Sequence, residues 1–167
     1  HEIEAAGGWL NRAIAGQYPP GSTFKIITSI AGLRAGTIEP GTSRINCPGY
    51  IMVGSRRFPC AHNKSHGDVD LVRAISQSCN VFFIKHGLDT TPQFLAAEAK
   101  RFGFNHATGI ELPGEFSSPR VADPEWRKAN WKTVGLPDGI WRGGDTANIS
   151  IGQGDTLITP LQAACMV

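Results

Sequence analysis

"QYPPGSTFKIIT", residues 17–28, sets two prolines and a glycine before a serine and places a lysine three residues after that serine, where an apolar run begins. Ile26, Ile27, Ile30 and Leu33 then recur at helical spacing up to Gly36, with the small residues Ala31, Gly32 and Ala35 between them. The pattern predicts a buried helix of roughly four turns, with Ser22 at its mouth and Gly36 as its stop. Positions i and i+3 share a helix face, so Ser22 and Lys25 come within hydrogen-bond reach without help from the rest of the fold. Burial beside an apolar helix disfavours an ammonium and moves a lysine down from its usual ~10.4 toward the range of a working base. A helix N-terminus also favours negative charge developing on the Ser22 oxygen. Ser22 is therefore either a simple helix cap or a nucleophile with its base one turn away. S-x-x-K alone does not choose between them, because roughly one chain in two of this size contains it by chance.

Working outward, Ser78-Cys79-Asn80 lies 56 residues downstream of Ser22, on a segment that reads as the end of a helix starting near Asp68 and following Val69, Val72, Ala74 and Ile75. A third helix is punctuated by Thr91 as N-cap, Pro92 at its first position and Gly103 as its stop. Between the first two helices, residues 37–67 carry Gly, Pro and two Cys with only short strand-like patches, and read as a long irregular connection. Residues 104–144, rich in Gly, Pro and Trp, read as surface loops, and the alternation in ANISIGQGD suggests a short strand and turn. Thr159-Pro160-Leu161-Gln162 fits a capping box opening a last helix.

Composition narrows the class. With 167 residues, 41% hydrophobic and 18% charged, the chain has the make-up of one soluble domain or a piece of one. The opening HEIEAAGGWLNRAIAG has no start methionine and TPLQAACMV reads as the first turns of a buried helix, so both ends are expected to be cut. A formal charge of +2 with scattered basic residues argues against a nucleic-acid partner. No apolar stretch approaches the ~18 residues of a membrane span and no signal peptide is visible, so any anchor is expected upstream of His1. Four cysteines are too few for a disulfide scaffold of this length.

YPPGSTFK at 18–25, SCN at 78–80, TGIELPGE at 108–115 and GDTANISIGQGDTLITPLQAA at 144–164 fall in an order that resembles the transpeptidase domain of class B penicillin-binding proteins. S-x-x-K followed by S-x-N is the first part of that family's motif set, and the resemblance runs from about residue 10 to the end. YPPG before the serine leans toward the elongation type, penicillin-binding protein 2. The resemblance implies an α+β fold of the penicillin-binding protein and serine β-lactamase kind, present here as its helix-rich part without the later sheet strands. It implies a peptidoglycan D,D-transpeptidase with Ser22 as the acylated nucleophile, Lys25 as base, Ser78 relaying protons and Asn80 hydrogen-bonding the substrate amide. The implied partners are a stem peptide ending in D-Ala-D-Ala, β-lactams and a membrane glycosyltransferase of the elongation machinery, on the outer side of the bacterial cytoplasmic membrane. The family's K-S/T-G motif is absent: Lys132-Thr133-Val134-Gly135 precedes the GQGD block and reads as a solvated loop. The third motif is expected beyond Val167, and the stretch alone is expected to be inactive. A penicillin-sensing or scaffolding domain, or a serine β-lactamase, are the alternatives, and TGIELPGE and the long cysteine loop argue against the last.

Cys47, Cys60, His66 and Cys79 are spaced C-x12-C-x5-H-x12-C. Three thiolates with one imidazole form a common tetrahedral zinc set. His66 is preferred over His62 as fourth ligand because Gly67 lets the chain turn there. A Cys47–Cys60 disulfide and free buried thiols stand as alternatives to zinc. Some elongation-type relatives carry a metal cluster in this stretch with the middle residue of the second motif as a ligand, so the resemblance implies that role for Cys79. His86 and His106 read as surface or capping residues, and Cys165 as core.

Overall fold

Burial in the helix that carries the first motif departs from the apolar recurrence: Ile26 and Leu33 are exposed, Ile30 is half-buried, and the polar Lys25, Thr28 and Ser29 are buried because that side of the helix faces the rest of the fold. The structure, a computed structural model, describes residues 11–116 and 120–166. A short helix α1 (Arg12–Ala15) is followed by a 3-10 turn (Gly21–Thr23) that runs directly into α2 (Phe24–Ala35). Phe24, Ile27 and Ala31 of α2 are buried. The helix ends on Gly36 at φ 71°, whose N–H returns to the Gly32 and Leu33 carbonyls. That left-handed stop is open to a residue without Cβ at no steric cost.

Residues 37–69 are more regular than their composition suggests. They form β1 (Ile45–Cys47), β2 (Tyr50–Val53), β3 (Arg56–Pro59) and β4 (Gly67–Val69). β1 pairs antiparallel with β4, setting Cys47 opposite Gly67, and β2 pairs antiparallel with β3, setting Tyr50 opposite Pro59. The expected irregular connection is thus two small sheets whose ends gather Cys47, Cys60 and His66.

The segment expected as one helix running into the second motif is two. α3 (Leu71–Ser76) is capped by Asp70, whose side chain accepts from Arg73 N, and α4 (Asn80–Thr90) starts at the motif's asparagine. α5 (Pro92–Arg101) begins on Pro92 as predicted, although the Thr91 side chain makes no cap bond. Within 104–144, expected as loops, lies α6 (Pro124–Asn130), with Asp123 accepting from Trp126 N. In place of the expected strand stands α7 (Gly143–Ile149). Its buried Thr146, Ala147, Ile149 and Ser150 recur at helical spacing, so the tertiary contact decided against a weak alternation. α8 (Pro160–Cys165) carries the predicted capping box: Thr159 Oγ1 accepts from Gln162 N, and Gln162 Oε1 from Thr159 N.

The architecture is α+β and helix-rich. One apolar cluster joins Phe24, Ile27 and Ala31 of α2 to Leu95, Ala96 and Ala99 of α5, with Phe104, Ile149 and Ile158. A second packs Phe82 and Phe83 of α4 against Ile38, Val69, Ala74 and the three cysteines 47, 60 and 79. Each fully buried Phe supplies about 1.5–3 kcal/mol, so packing fixes the sulfur atoms relative to one another. Two single-residue expectations are corrected. His86 is buried, its ring 4.4 Å from that of Phe82, because it lies one helical turn along α4 from Phe82. Cys165 is exposed, because the face of α8 that turns inward carries Gln162. Among the described residues no helix is long and apolar enough to cross a membrane.

Candidate active site and metal-ligand cluster

Ser22 caps nothing. It sits inside the 3-10 turn, the residue at the cap position of α2 is Thr23, and no side chain caps that helix. The Thr23 hydroxyl instead donates to the Pro20 carbonyl at 2.7 Å. The Ser22 hydroxyl is exposed, and its oxygen accepts a 3.0 Å hydrogen bond from Ser78 Oγ.

Lys25, on the first turn of α2, is buried at 3% exposure. Its Nζ donates to Ser78 O, Ser78 Oγ and Asn80 Oδ1, each at 2.7 Å. All three protons of the ammonium are thereby committed to the second motif, and Lys25 reaches Ser22 through Ser78. The sequence spacing anticipated a direct pair; the 3-10 turn before α2 and the three acceptors on the second motif redirect it. Burial pulls Lys25 down from 10.5 to about 8, with the charge of Cys60 and Cys79 opposing the shift.

The second motif can present three groups to one amine because it is a turn between helices. Ser78 has φ 53°, a left-handed conformation uncommon for a residue with a side chain. Its N–H bonds the Ile75 carbonyl and Cys79 N–H bonds that of Ala74. Asn80 then opens α4, and its Nδ2 donates to the Pro59 carbonyl at 3.0 Å.

Cys79 points the other way, into the second core. The ligand atoms of Cys47, Cys60, His66 and Cys79 all lie within 4.8 Å of one another. Cys60 Sγ is 3.6 Å from Cys47 Sγ, 3.7 Å from Cys79 Sγ and 3.3 Å from His66 Nδ1, and Cys47 Sγ is 3.7 Å from His66 Nδ1. The three thiols are free. A tetrahedral ion with bonds of ~2.3 Å to sulfur separates its sulfur ligands by about 3.8 Å, so these four atoms have the spacing such an ion needs. The hydrogen bond between the Cys60 and Cys79 thiols pulls Cys60 below the ordinary thiol value and pushes Cys79 above it. His66 is aimed by its backbone N–H to the Cys47 carbonyl, at 3.2 Å. His62, the alternative ligand, is not in the group.

The GQGD turn is a part of the site that motif reading missed. Gly21 N donates to the Gly152 carbonyl at 2.8 Å. Gly152, at φ 69°, lies so close that a Cβ there would overlap the Gly21 carbonyl oxygen and come within 2.7 Å of Phe24 Cβ. The exposed Gln153 follows, its Nε2 4.0 Å from where a Gly21 Cβ would stand. The signal was the pair of glycines around Gln153 in a block already matched to a family.

The profile of a family described as "Penicillin binding protein transpeptidase domain" matches residues 2–167. The chain belongs to that family. This transpeptidase-domain chain is 36% identical over 160 residues to peptidoglycan D,D-transpeptidase MrdA of Acinetobacter baumannii, covering 92% of itself and 22% of that relative. Its fold superposes on penicillin-binding protein 2 of Helicobacter pylori in complex with MreC, with TM-score 0.85, 34% identity and coverage of 97% and 29% of the two chains. The corresponding values for Pseudomonas aeruginosa penicillin-binding protein 2 in complex with WCK 5153 are TM-score 0.83, 33% identity and coverage of 95% and 34%. The transpeptidase-domain chain thus spans about a quarter of the length of the curated relatives it matches.

Proposed function

We propose that this chain carries the nucleophile and base of a peptidoglycan D,D-transpeptidase. The observation that supports this best is the hydrogen-bonded series Lys25 Nζ, Ser78 Oγ, Ser22 Oγ, which ends on an exposed serine that caps no helix. In its neutral form Lys25 has a lone pair to accept the Ser78 proton while Ser78 accepts that of Ser22. With Lys25 near 8, about a quarter of the amine is neutral at pH 7.5. The freed Ser22 oxygen attacks the penultimate D-alanine carbonyl of a stem peptide, the C–N bond to the terminal D-alanine breaks, and that leaving amine takes the proton back. An amine of a neighbouring strand then attacks the acyl carbon, the ester bond to Ser22 breaks, and the proton lost by that amine returns through Ser78 to the Ser22 oxygen. Asn80 keeps one N–H free of the Lys25 and Pro59 contacts, which suits it to hold the substrate amide carbonyl. β-Lactams would acylate the same serine.

The reading extends to a closed structural zinc site of Cys47, Cys60, His66 and Cys79. Zinc there would hold the Ser78–Asn80 turn against the 37–67 segment and stay clear of substrate. The cellular setting that goes with this activity is the outer side of the cytoplasmic membrane, with a membrane glycosyltransferase as partner. The deciding experiment is mass-spectrometric mapping of fluorescent penicillin on the full-length parent protein. Label on Ser22, lost in Ser22→Ala, is expected; label on Ser78, or labelling undiminished in Ser22→Ala, would remove the assignment.

A further inference from the structure

Away from the serine site, a cavity of about 500 Å³ is lined by Lys100, Asn105, Arg120, Glu125, Trp126 and Asn130, among others. That volume falls within the usual range for small-ligand sites. Part of the lining is internally satisfied: Lys100 pairs with Asp123 at 2.8 Å, and Asn130 Nδ2 donates to the Trp126 carbonyl at 2.9 Å. Arg120 donates through Nε to the Asp155 carbonyl at 2.7 Å, and its guanidinium carbon lies 5.2 Å from the Trp126 ring. Among the described residues no hydrogen bond engages the Asn105 amide, the Glu125 carboxylate or Asn130 Oδ1. Donors and acceptors of both charge signs therefore surround a partly exposed indole.

This chemistry is poorly matched to an ion, which would meet a like charge on one wall. It suits a neutral ring with one face of C–H groups and a rim of hydroxyl and amide groups, which is the make-up of an N-acetylated pyranose. The backbone connects the cavity to the nucleophile. Arg120 bridges to Leu157, and Ile158 bridges to Tyr18, four residues before Ser22. Two ladder steps of about 4.8 Å separate Arg120 from Tyr18, while Asp155, which holds the Arg120 side chain, follows the turn that packs on Gly21. A stem peptide of four residues reaches at most about 13–14 Å, which exceeds the roughly 10 Å of those two steps.

We infer that this cavity is a subsite for the N-acetylated glycan strand that bears the stem peptide, with Trp126 as its platform and Asn105, Glu125 and Arg120 as its polar rim. The inference rests on the transpeptidase reading for its substrate and on the cavity's own side chains for its chemistry. The test is calorimetric titration of the full-length parent protein with the peptide-free β-1,4 tetramer of N-acetylglucosamine. Binding at about 1 mM or tighter is expected, weakened tenfold or more by Trp126→Ala and also by the milder Asn105→Ala, and unchanged by Ser22→Ala. No binding up to about 10 mM, or binding that survives both cavity substitutions, would overturn the subsite. Failure of penicillin to label Ser22 would strike the transpeptidase reading alone, since the sugar titration does not use the serine.

Discussion

The Asn80 amide is held at both ends: its Oδ1 accepts from Lys25 Nζ at 2.7 Å, and its Nδ2 donates to the Pro59 carbonyl at 3.0 Å. Pro59 ends β3 and immediately precedes Cys60, the sulfur that approaches each of the other three ligands. The orientation of the Asn80 amide is thus tied on one side to Lys25 and on the other to the cysteine cluster.

Asn80→Asp should therefore do more harm than the loss of one donor. It sets a carboxylate oxygen against the Pro59 carbonyl and a negative charge beside Lys25, which favours the ammonium and raises its pKa. Penicillin acylation is expected to fall at least about 10-fold at pH 7.5 and to recover partly as pH rises, whereas Asn80→Ala should be impaired without that recovery. Parallel pH profiles for the two variants would contradict the coupling of Asn80 to Lys25.

The wild-type profile follows from the same amine. Burial holds Lys25 near 8, and only the neutral form accepts a proton, so acylation should rise with pH through about 8 and level off above it. Below that value the neutral fraction falls about tenfold per pH unit. Lys25→Ala is expected to slow acylation by ~10²-fold or more and to flatten the profile. A wild-type rate constant independent of pH between 6 and 9 would remove Lys25 as the base.

Gly152 is expected to be the most sensitive glycine for the nucleophile. Gly152→Ala places a Cβ onto the Gly21 carbonyl at a φ of 69° that already disfavours a side chain. The left-handed conformation alone costs about 1–2 kcal/mol, and relieving the overlap displaces the turn that aims Ser22. A fall in melting temperature together with a loss of acylation is expected. Acylation at the wild-type rate would show that the GQGD turn does not aim the serine.

The parts legible in sequence were those whose signal is chemical. Ser22, Lys25, Ser78 and Asn80 come together in one hydrogen-bonded group, as do the four side chains of the cysteine and histidine set. Local helix ends with a strong physical cause, the Gly36 stop and the Thr159 capping box that starts the last helix, were legible as well. What escaped was conformation that has no local signature. Ser78 takes a left-handed φ that nothing in S-C-N announces, so a turn between two helices read as the end of one. The strands between 45 and 69 are three or four residues long, too short to show alternation. α6 had its Asp-Pro start in plain view, submerged in Gly- and Trp-rich surroundings.

One zinc ion per chain is expected in the full-length parent, by elemental analysis. Because Cys79 stands between Ser78 and Asn80, and Cys60 follows the Pro59 carbonyl that holds Asn80, the ion would secure the second motif from two directions. Structural zinc can supply ~10 kcal/mol or more of folding free energy, so chelation should lower the melting temperature and penicillin labelling together. Cys60→Ser should weaken zinc retention more than His62→Ala, because Cys60 approaches all three other ligands and His62 lies outside the group. Protein that contains no zinc, or that shows a Cys47–Cys60 disulfide by mass spectrometry without reduction, would decide against the metal. In the disulfide case, closing the 3.6 Å between the two sulfurs to the ~2.05 Å of a covalent bond would leave Cys79 unbridged, and the Ser78–Asn80 turn would be held by Lys25, Pro59 and its own backbone hydrogen bonds to Ile75 and Ala74.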